Sequence, residues 1–400
     1  METYHIRHII HRLPGKVIHH VPLPHPDVTE GQGAREKVGE LCSQYGYKHA
    51  LLVTDQTLHR LGYDRKIEQS LSAAGVAYAL YADINSEPTV ALIEAGREAA
   101  KNCQADCIIA LGGGSVMDTC KMIAAGAKMP HFKTQTLLQK FLVVPDNTLP
   151  LITIPSTAGT GAEITVGAVV TNNRGKKGST VVIGLEVAHV ILDSELTIHA
   201  PVSVTAACGM DALSHCIEGA VGDVEYNEED MNKSLEGAKL IFRNLPLVLK
   251  EPENSEARLC MCRAAMYGGN AINTQLAGYV HAFAHSIGAK YHLSHGNAIT
   301  LCMLPVLEYQ KEVCLSKYAM IARYCGIASG DKTDSTAADL FLKAVEKLIK
   351  QCGLDKLALP VQKKDYAALT RMVVADSINY SAPKTFSQSD IHNILQQLTK

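Results

Sequence analysis

Cys107-Ile-Ile-Ala-Leu-Gly-Gly-Gly-Ser-Val-Met-Asp118 is the stretch from which the fold is read. An apolar run over 107–111 reads as a buried strand, three glycines follow it, and 120–127 has a helical pattern. A strand, a tight glycine turn and a helix start make a phosphate site. Glycine lets backbone N–H groups approach an anion, and the helix N-terminus adds partial positive charge. Gly112 and Gly114 give G-x-G, but Met117 stands where the usual dinucleotide fingerprint has its third glycine. A second turn of similar chemistry, Pro155-Ser-Thr-Ala-Gly-Thr-Gly-Ala-Glu163, follows another buried run over 151–154. Two such turns at the carboxyl ends of strands match the place where open α/β sheets bind ligands, and together they favour a dinucleotide.

Outward from this turn the pattern repeats. Apolar β-type runs over 49–55, 76–81, 107–111, 151–154, 166–171 and 189–192 alternate with helical patterns such as 34–45 and 90–102. That alternation predicts a mainly parallel α/β sheet. From about Pro201 the β signal stops, and helical patterns follow over 202–219, 227–243, 255–276, 314–325, 336–351, 364–375 and 387–399. The expected architecture is an α/β dinucleotide-binding domain over 1–198 and an all-helical domain over 199–400. Asp55 ends the 49–55 run. A carboxylate there accepts both hydroxyls of an adenosine ribose and repels a 2′-phosphate, which favours NAD over NADP. A helix cap is the other reading of the same residue.

The chain has 400 residues, 47% hydrophobic and 20% charged, the composition of a two-domain globular protein. A net charge of −2 argues against nucleic acid or an anionic membrane as partner, and no apolar run is long enough to predict a membrane span. The 12 cysteines include no CxxC pair and read as small buried residues in a reducing cytoplasm. The first 26 residues carry His5, His8, His11, His19, His20 and His25 but lack the apolar core of a signal peptide. They are expected to form a surface extension.

The helical half concentrates metal-ligating side chains. Tyr279-Val-His-Ala-Phe-Ala-His285 places His281 and His285 four apart, on one face of a helix. Ser294-His295-Gly296 follows after a loop-like break, and Asp211-Ala-Leu-Ser-His215 is a further i, i+4 pair. Asp and His in this number, in apolar surroundings, suit a divalent first-row metal.

Four motifs in order carry a resemblance: Gly112 to Asp118, Pro155 to Glu163, Gly209-Met-Asp-Ala-Leu-Ser-His-Cys-Ile-Glu218, and His281 to Gly296. They resemble the iron-dependent (group III) alcohol dehydrogenase family, from about Glu30 to His295, with a looser C-terminal tail. The resemblance implies a dehydroquinate synthase-like fold with the active site in a cleft between the domains. It implies a metal, Fe2+ or Zn2+, on Asp211, His215, His281 and His295, with His285 as the catalytic residue beside the nicotinamide. For NAD it implies Gly112, Gly113, Gly114, Ser115 and Asp118 at the pyrophosphate. Ser156, Thr157, Thr160 and Thr165 would line the nicotinamide side, with Lys177 or its neighbour Lys176 at the nicotinamide ribose. The implied reaction moves a hydride between NAD(H) and a small primary alcohol or aldehyde, in a homodimer or larger homo-oligomer. Metal chemistry suits that reaction. Lowering a hydroxyl pKa from about 15.7 to about 7 is worth about 12 kcal/mol, more than a hydrogen bond supplies.

Departures from the family pattern are few. Asp193-Ser-Glu-Leu196 replaces Asp-Pro-x-Leu, Ser156 stands where Thr is commoner, and the His-rich N-terminus is longer than usual. Glycerol-dehydrogenase-like polyol oxidation is an alternative. A dehydroquinate synthase-like lyase would need Lys and Arg to grip a sugar phosphate, and no Lys or Arg lies within 209–218, 281–285 or 294–296. Ile272, Leu276 and Phe283, with Cys302 and Tyr380 farther off, are expected to face the substrate. Their apolar character points to a short, mostly apolar alcohol, because a buried unpaired carboxylate or phosphate is costly.

Overall fold

The computed structural model describes residues 23–223, 227–378 and 380–399. His5, His8, His11, His19 and His20 lie outside the described residues. The chain divides into two compact units. One runs through Thr157 and resumes over Gly161–Ala200; the other comprises Ala158–Thr160 and the chain from Pro201 onward.

The first unit is α/β. Its strands are β1 Asp27–Gly31, β2 His49–Asp55, β3 Ala77–Ile84, β4 Cys107–Gly112, β5 Phe141–Val143, β6 Leu151–Pro155, β7 Gly167–Thr171, β8 Lys177–Ile183 and β9 Val187–Asp193. Six of them form one sheet in the order β1-β9-β6-β4-β2-β3, every pair parallel. Parallel strands are covered on both faces, so they read as continuous apolar runs; Leu51 to Val53 and Ile108 to Leu111 are fully buried. Strands β5, β8 and β7 make a second, mixed sheet. Strands β1, β5 and β8 carry no readable signal. The first is a polar edge strand with one apolar residue, the second is three residues long, and the third begins Lys-Gly-Ser-Thr. The helix expected over 34–45 is a 3-10 turn, Ala34–Lys37, followed by the α-helix Val38–Tyr45.

The second unit is helical: Val202–Val221, Glu228–Lys250, Ser255–Gln275, Tyr279–Tyr291, His295–Gln310, Leu315–Tyr324, Asp334–Gln351, Tyr366–Ser377 and Gln388–Gln397. These helices share one apolar core that includes Met210, Phe283, Phe341 and Leu395. Several start on side-chain caps. Asn227, Asn254 and Thr333 each accept from a backbone N–H in the first turn, and Ser387 and Asp390 form a capping box. The helix expected to end at 243 continues to Lys250 through Pro246. Proline forfeits one hydrogen bond there, but buried Ile241, Leu245 and Val248 keep the apolar face continuous. Among the described residues no helix is long and apolar enough to cross a membrane.

Candidate active site

Helix Val202–Val221 is buried without a break from Gly209 to Val221, as expected of a helix that is apolar nearly all round. Asp211 and His215 therefore point into the protein interior, one turn apart. His281 and His295 reach the same point from helices Tyr279–Tyr291 and His295–Gln310. His295, His281 and His215 place Nε2 at 3.1, 3.8 and 3.9 Å from Asp211 Oδ1. His281 Nε2 and His215 Nε2 lie 3.0 Å apart. Among the described residues, Asp211, His281 and His295 form the group whose ligand atoms, one each, all lie within 4.8 Å of one another. Ligand atoms bound at about 2.1 Å from an ion are themselves about 3–3.5 Å apart; the 3.0 and 3.1 Å separations lie in that range, and the 3.8 and 3.9 Å ones would close by a few tenths of an ångström around a single ion. Asp211 Oδ1 is buried and completes no hydrogen bond with the surrounding imidazoles, and His215 Nδ1 is likewise unsatisfied. A buried carboxylate oxygen in that state is expensive; a cation at the centre accounts for it. Burial holds His281 down at about 3 and His215 at about 4. Both rings are then neutral near pH 7, the form that gives a lone pair to a metal.

Glu218 orients this cluster. It follows Asp211 and His215 on the same helix face, accepts from His281 Nδ1 at 2.5 Å through Oε2, and accepts from Val280 N at 2.7 Å through Oε1. A histidine whose Nδ1–H is held by a carboxylate presents Nε2 as a ligand. Burial pushes the Glu218 carboxyl up to about 7. The approach is so close that a Cβ on Gly278 would sit 2.6 Å from Glu218 Oε1. Gly296, beside His295, is needed for a similar reason: a Cβ there would lie 2.5 Å from the Ala207 carbonyl oxygen.

His285, one turn beyond His281, keeps different company. Its ring stacks on His295 with centroids 5.3 Å apart. Its Nδ1 lies 2.9 Å from Asp376 Oδ2 and 3.1 Å from the Tyr380 hydroxyl, which also lies 3.2 Å from both Asp376 oxygens. The expected apolar wall is only partly there. Phe283 and Cys302 are fully buried members of the core and do not face a substrate. Phe283 is two residues from His281, which on a helix is nearly the opposite side. Ile272 and Leu276 are half-buried. Leu276 turns the chain from helix Ser255–Gln275 toward helix Tyr279–Tyr291 at φ 63° and ψ 178°, a conformation normally left to glycine.

In the α/β unit, Gly113 caps the helix Gly114–Lys128, so Gly114 and Ser115 form its first turn. Ser156 N donates to the Gly112 carbonyl at 2.9 Å, and a Cβ on Gly113 would lie 3.4 Å from Thr157 Oγ1. The two turns thus lie side by side at the carboxyl ends of β4 and β6. Strand order reverses between β2 and β4, the switch point at which open sheets bind ligands. Asp55 closes β2 and Gly112 closes β4. Asp55 Oδ1 accepts from Thr57 N and Leu58 N, both at 2.9 Å, so the residue caps a helix. Asp118, expected at the pyrophosphate, spends both oxygens inside the unit, on Lys121 Nζ at 3.0 Å and Val169 N at 2.9 Å. Lys121, 1% exposed, also donates to Thr165 Oγ1 at 3.0 Å and to the Gly167 carbonyl at 2.6 Å. Thr160 groups with the helical unit. Lys177 is exposed and pairs with Glu87, and Lys176 N donates to Asn172 Oδ1.

Three site residues went unread in the sequence: Glu218, Lys121 and Asp376. For two of them a signal existed. Glu218 continues the Asp211, His215 stripe at i+7, and Lys121 stands at i+3 from Asp118. Asp376 lies 91 residues beyond His285, and no spacing rule links the two.

The chain matches two family profiles, iron-containing alcohol dehydrogenase over residues 25–194 and Fe-containing alcohol dehydrogenase family, C-terminal, over residues 205–399. It is 30% identical to the NAD-dependent methanol dehydrogenase of Bacillus methanolicus, across 93% of this chain and 97% of that one. Among solved structures, a 1,3-propanediol oxidoreductase superposes with a TM-score of 0.87 at 29% identity, covering 94% of this chain and 99% of that one. The sulfoacetaldehyde reductase of Bifidobacterium kashiwanohense, in complex with NAD+, gives 0.86 at 25% identity, over 94% and 98%. The motif order, the imidazole cluster around Asp211 and these matches across both units agree: the chain belongs to the iron-containing alcohol dehydrogenase family.

Proposed function

We propose that the chain moves a hydride between NAD(H) and a short, uncharged primary alcohol or its aldehyde, as the metal- and NAD-dependent oxidoreductases of its family do. The carrying observation is the convergence of three imidazole Nε2 atoms on the buried, unsatisfied Asp211 Oδ1. Asp211, His215, His281 and His295 would hold Fe2+, or Zn2+ in its place. Bound there, a divalent cation supplies Lewis acidity toward a hydroxyl or carbonyl oxygen. Glu218 fixes the His281 tautomer, and His285 exchanges the alcohol proton. Gly112 to Ser115 bind the pyrophosphate at the helix start. Ser156, Thr157, Thr160 and Thr165 take the nicotinamide side, Lys177 the nicotinamide ribose, and Asp55 the adenosine ribose, with Asp118 bracing the turn from behind. The division of labour is a nucleotide domain to about residue 198 and a metal domain beyond it. The reading includes a cytoplasmic homodimer or larger homo-oligomer, in keeping with twelve cysteines that are all free thiols.

Methanol and 1,3-propanediol, named for the relatives above, are small uncharged primary alcohols. Polyol oxidation is the second reading, favoured by the polar group of His285, Asp376 and Tyr380. The test has two arms. Elemental analysis should find one ion per wild-type chain and none in a His281→Ala, His295→Ala double variant; full occupancy in that variant refutes the ligand set. An NADH-linked series from methanol to hexanol, with 1,3-propanediol, glycerol and lactate, should favour the simple alcohols. A preference above tenfold for glycerol or lactate refutes the substrate class.

A further inference from the structure

The His285 ring is 42% exposed and Asp376 30%, so neither packing nor burial alone holds the imidazole in one orientation. Its contacts do. Asp376 sits near the end of helix Tyr366–Ser377, and its carboxylate can only accept. At 2.9 Å from that acceptor, His285 Nδ1 must carry the proton, which leaves the lone pair on Nε2. The Tyr380 hydroxyl completes the arrangement. Burial and then the Asp376 charge raise its pKa well above the ordinary phenol value, so it remains an O–H donor. Nδ1 has no lone pair to offer it, and both Asp376 oxygens lie 3.2 Å away; the phenol therefore donates to Asp376. The order is Tyr380 O–H to Asp376, and His285 Nδ1–H to Asp376. Two donors pin one carboxylate, and the carboxylate pins the ring.

We propose that Asp376 and Tyr380 are positioning residues that act through His285, fixing its ring and its Nδ1–H tautomer so that Nε2 is the atom presented for exchange of the alcohol proton. The role rests on the reading of His285 as the proton-exchanging group. A merely structural tie between helices Tyr279–Tyr291 and Tyr366–Ser377 would use the same contacts, so the test needs readouts that such a tie does not move.

The first readout is the tautomer itself, measured by 15N NMR on metal-free protein labelled at histidine. The His285 signals are assigned by their loss in His285→Gln. Wild type should show a protonated Nδ1 and a bare Nε2. Asp376→Ala should show mixed tautomers, and Tyr380→Phe the wild-type tautomer. The second readout is kinetic. In Asp376→Asn, kcat should fall about 10-fold, the lower end of what losing the orienting partner of a metal-bound histidine costs, with the NAD KM and metal content unchanged. Asp376→Glu should recover part of the loss, and Tyr380→Phe should lose a few-fold. A wild-type ring protonated on Nε2, or an Asp376→Ala variant that keeps both tautomer and kcat, overturns the proposal. Full turnover in His285→Gln would instead remove His285 from the reaction, and the role with it, whatever the tautomer in the metal-free chain.

Discussion

Glu218 offers the sharpest test of how the helical unit prepares its ion site. It lies two turns along from Asp211, is 5% exposed, and is engaged by His281 Nδ1 and Val280 N at 2.5 and 2.7 Å. With a cation seated nearby the carboxylate form is favoured despite burial. Glu218→Gln keeps the shape and a carbonyl acceptor but removes the charge. Glu218→Ala removes the acceptors as well. Loss of the outer partner of a metal-bound histidine costs about 10- to 100-fold in affinity, which is about 1.4–2.8 kcal/mol. The Gln variant belongs at the lower end and the Ala variant at the upper. Glu218→Ala also strands two buried N–H donors at about 1–3 kcal/mol each, so the metal-free protein should melt several degrees lower. Metal affinity is measured by competition with a chromophoric chelator, anaerobically for Fe2+, and melting by calorimetry on the metal-free chain. Wild-type affinity in both variants would refute the reasoning, because His281 would then need no partner to present Nε2.

Two further outcomes follow from the α/β unit. Lys121→Met should cost about 3 kcal/mol in urea unfolding, since it removes one partner of a buried pair, and should weaken NADH binding measured by fluorescence; a loss under about 1 kcal/mol would show that the bracket is idle. Glu163 is buried, and burial pushes its carboxyl up to about 7 from 4.5. The folded state then holds a proton that the unfolded state releases between those values, so this contribution is fully present below about pH 4.5 and is lost as pH rises through about 7. Glu163→Gln should therefore gain about 2.5 kcal/mol relative to wild type between pH 5 and pH 8, read from urea unfolding of metal- and NAD-free protein; an unchanged difference across that range would refute the buried, protonated state.

How far the sequence could be read depends on which physical signal each element carries. The central strands of a parallel sheet are covered on both faces, so 49–55, 107–111 and 151–154 announce themselves as apolar runs. The edge strand Asp27–Gly31 needs only backbone pairing with β9, and its side chains say nothing. Helix starts carry a local signal where Asn227, Asn254, Thr333 and Ser387 cap them. The ligand pairs were visible because i, i+4 spacing is a property of one helix. The carboxylates that orient those ligands belong to tertiary structure. Glu218 reaches His281 across 63 residues and Asp376 reaches His285 across 91, distances at which only the fold decides who meets whom. Asp118 shows the reverse case. A carboxylate next to a glycine turn reads as a ligand group, but beside a pyrophosphate it would repel, and the fold turns it onto Lys121 and the Val169 amide.

The same distinction bears on the substrate. Proximity in sequence put Phe283 toward the metal and Cys302 farther off, and the packing puts both in the core. What stands near His285 instead is a carboxylate and a phenol. At the imidazole cluster, Asp211, Glu218 and Asp376 in their ionised forms bring three negative charges against the two of a divalent ion. A neutral alcohol meets no net field penalty from that balance. A substrate carboxylate about 8 Å from the uncompensated charge would meet about 2 kcal/mol of repulsion at an effective dielectric of about 20, close to 30-fold in kcat/KM. On this count the expected outcome is that lactate turns over about 30-fold less efficiently than a neutral alcohol of its size, through Asp376 rather than through Phe283, while uncharged diols are accepted; equal kcat/KM for lactate would refute it.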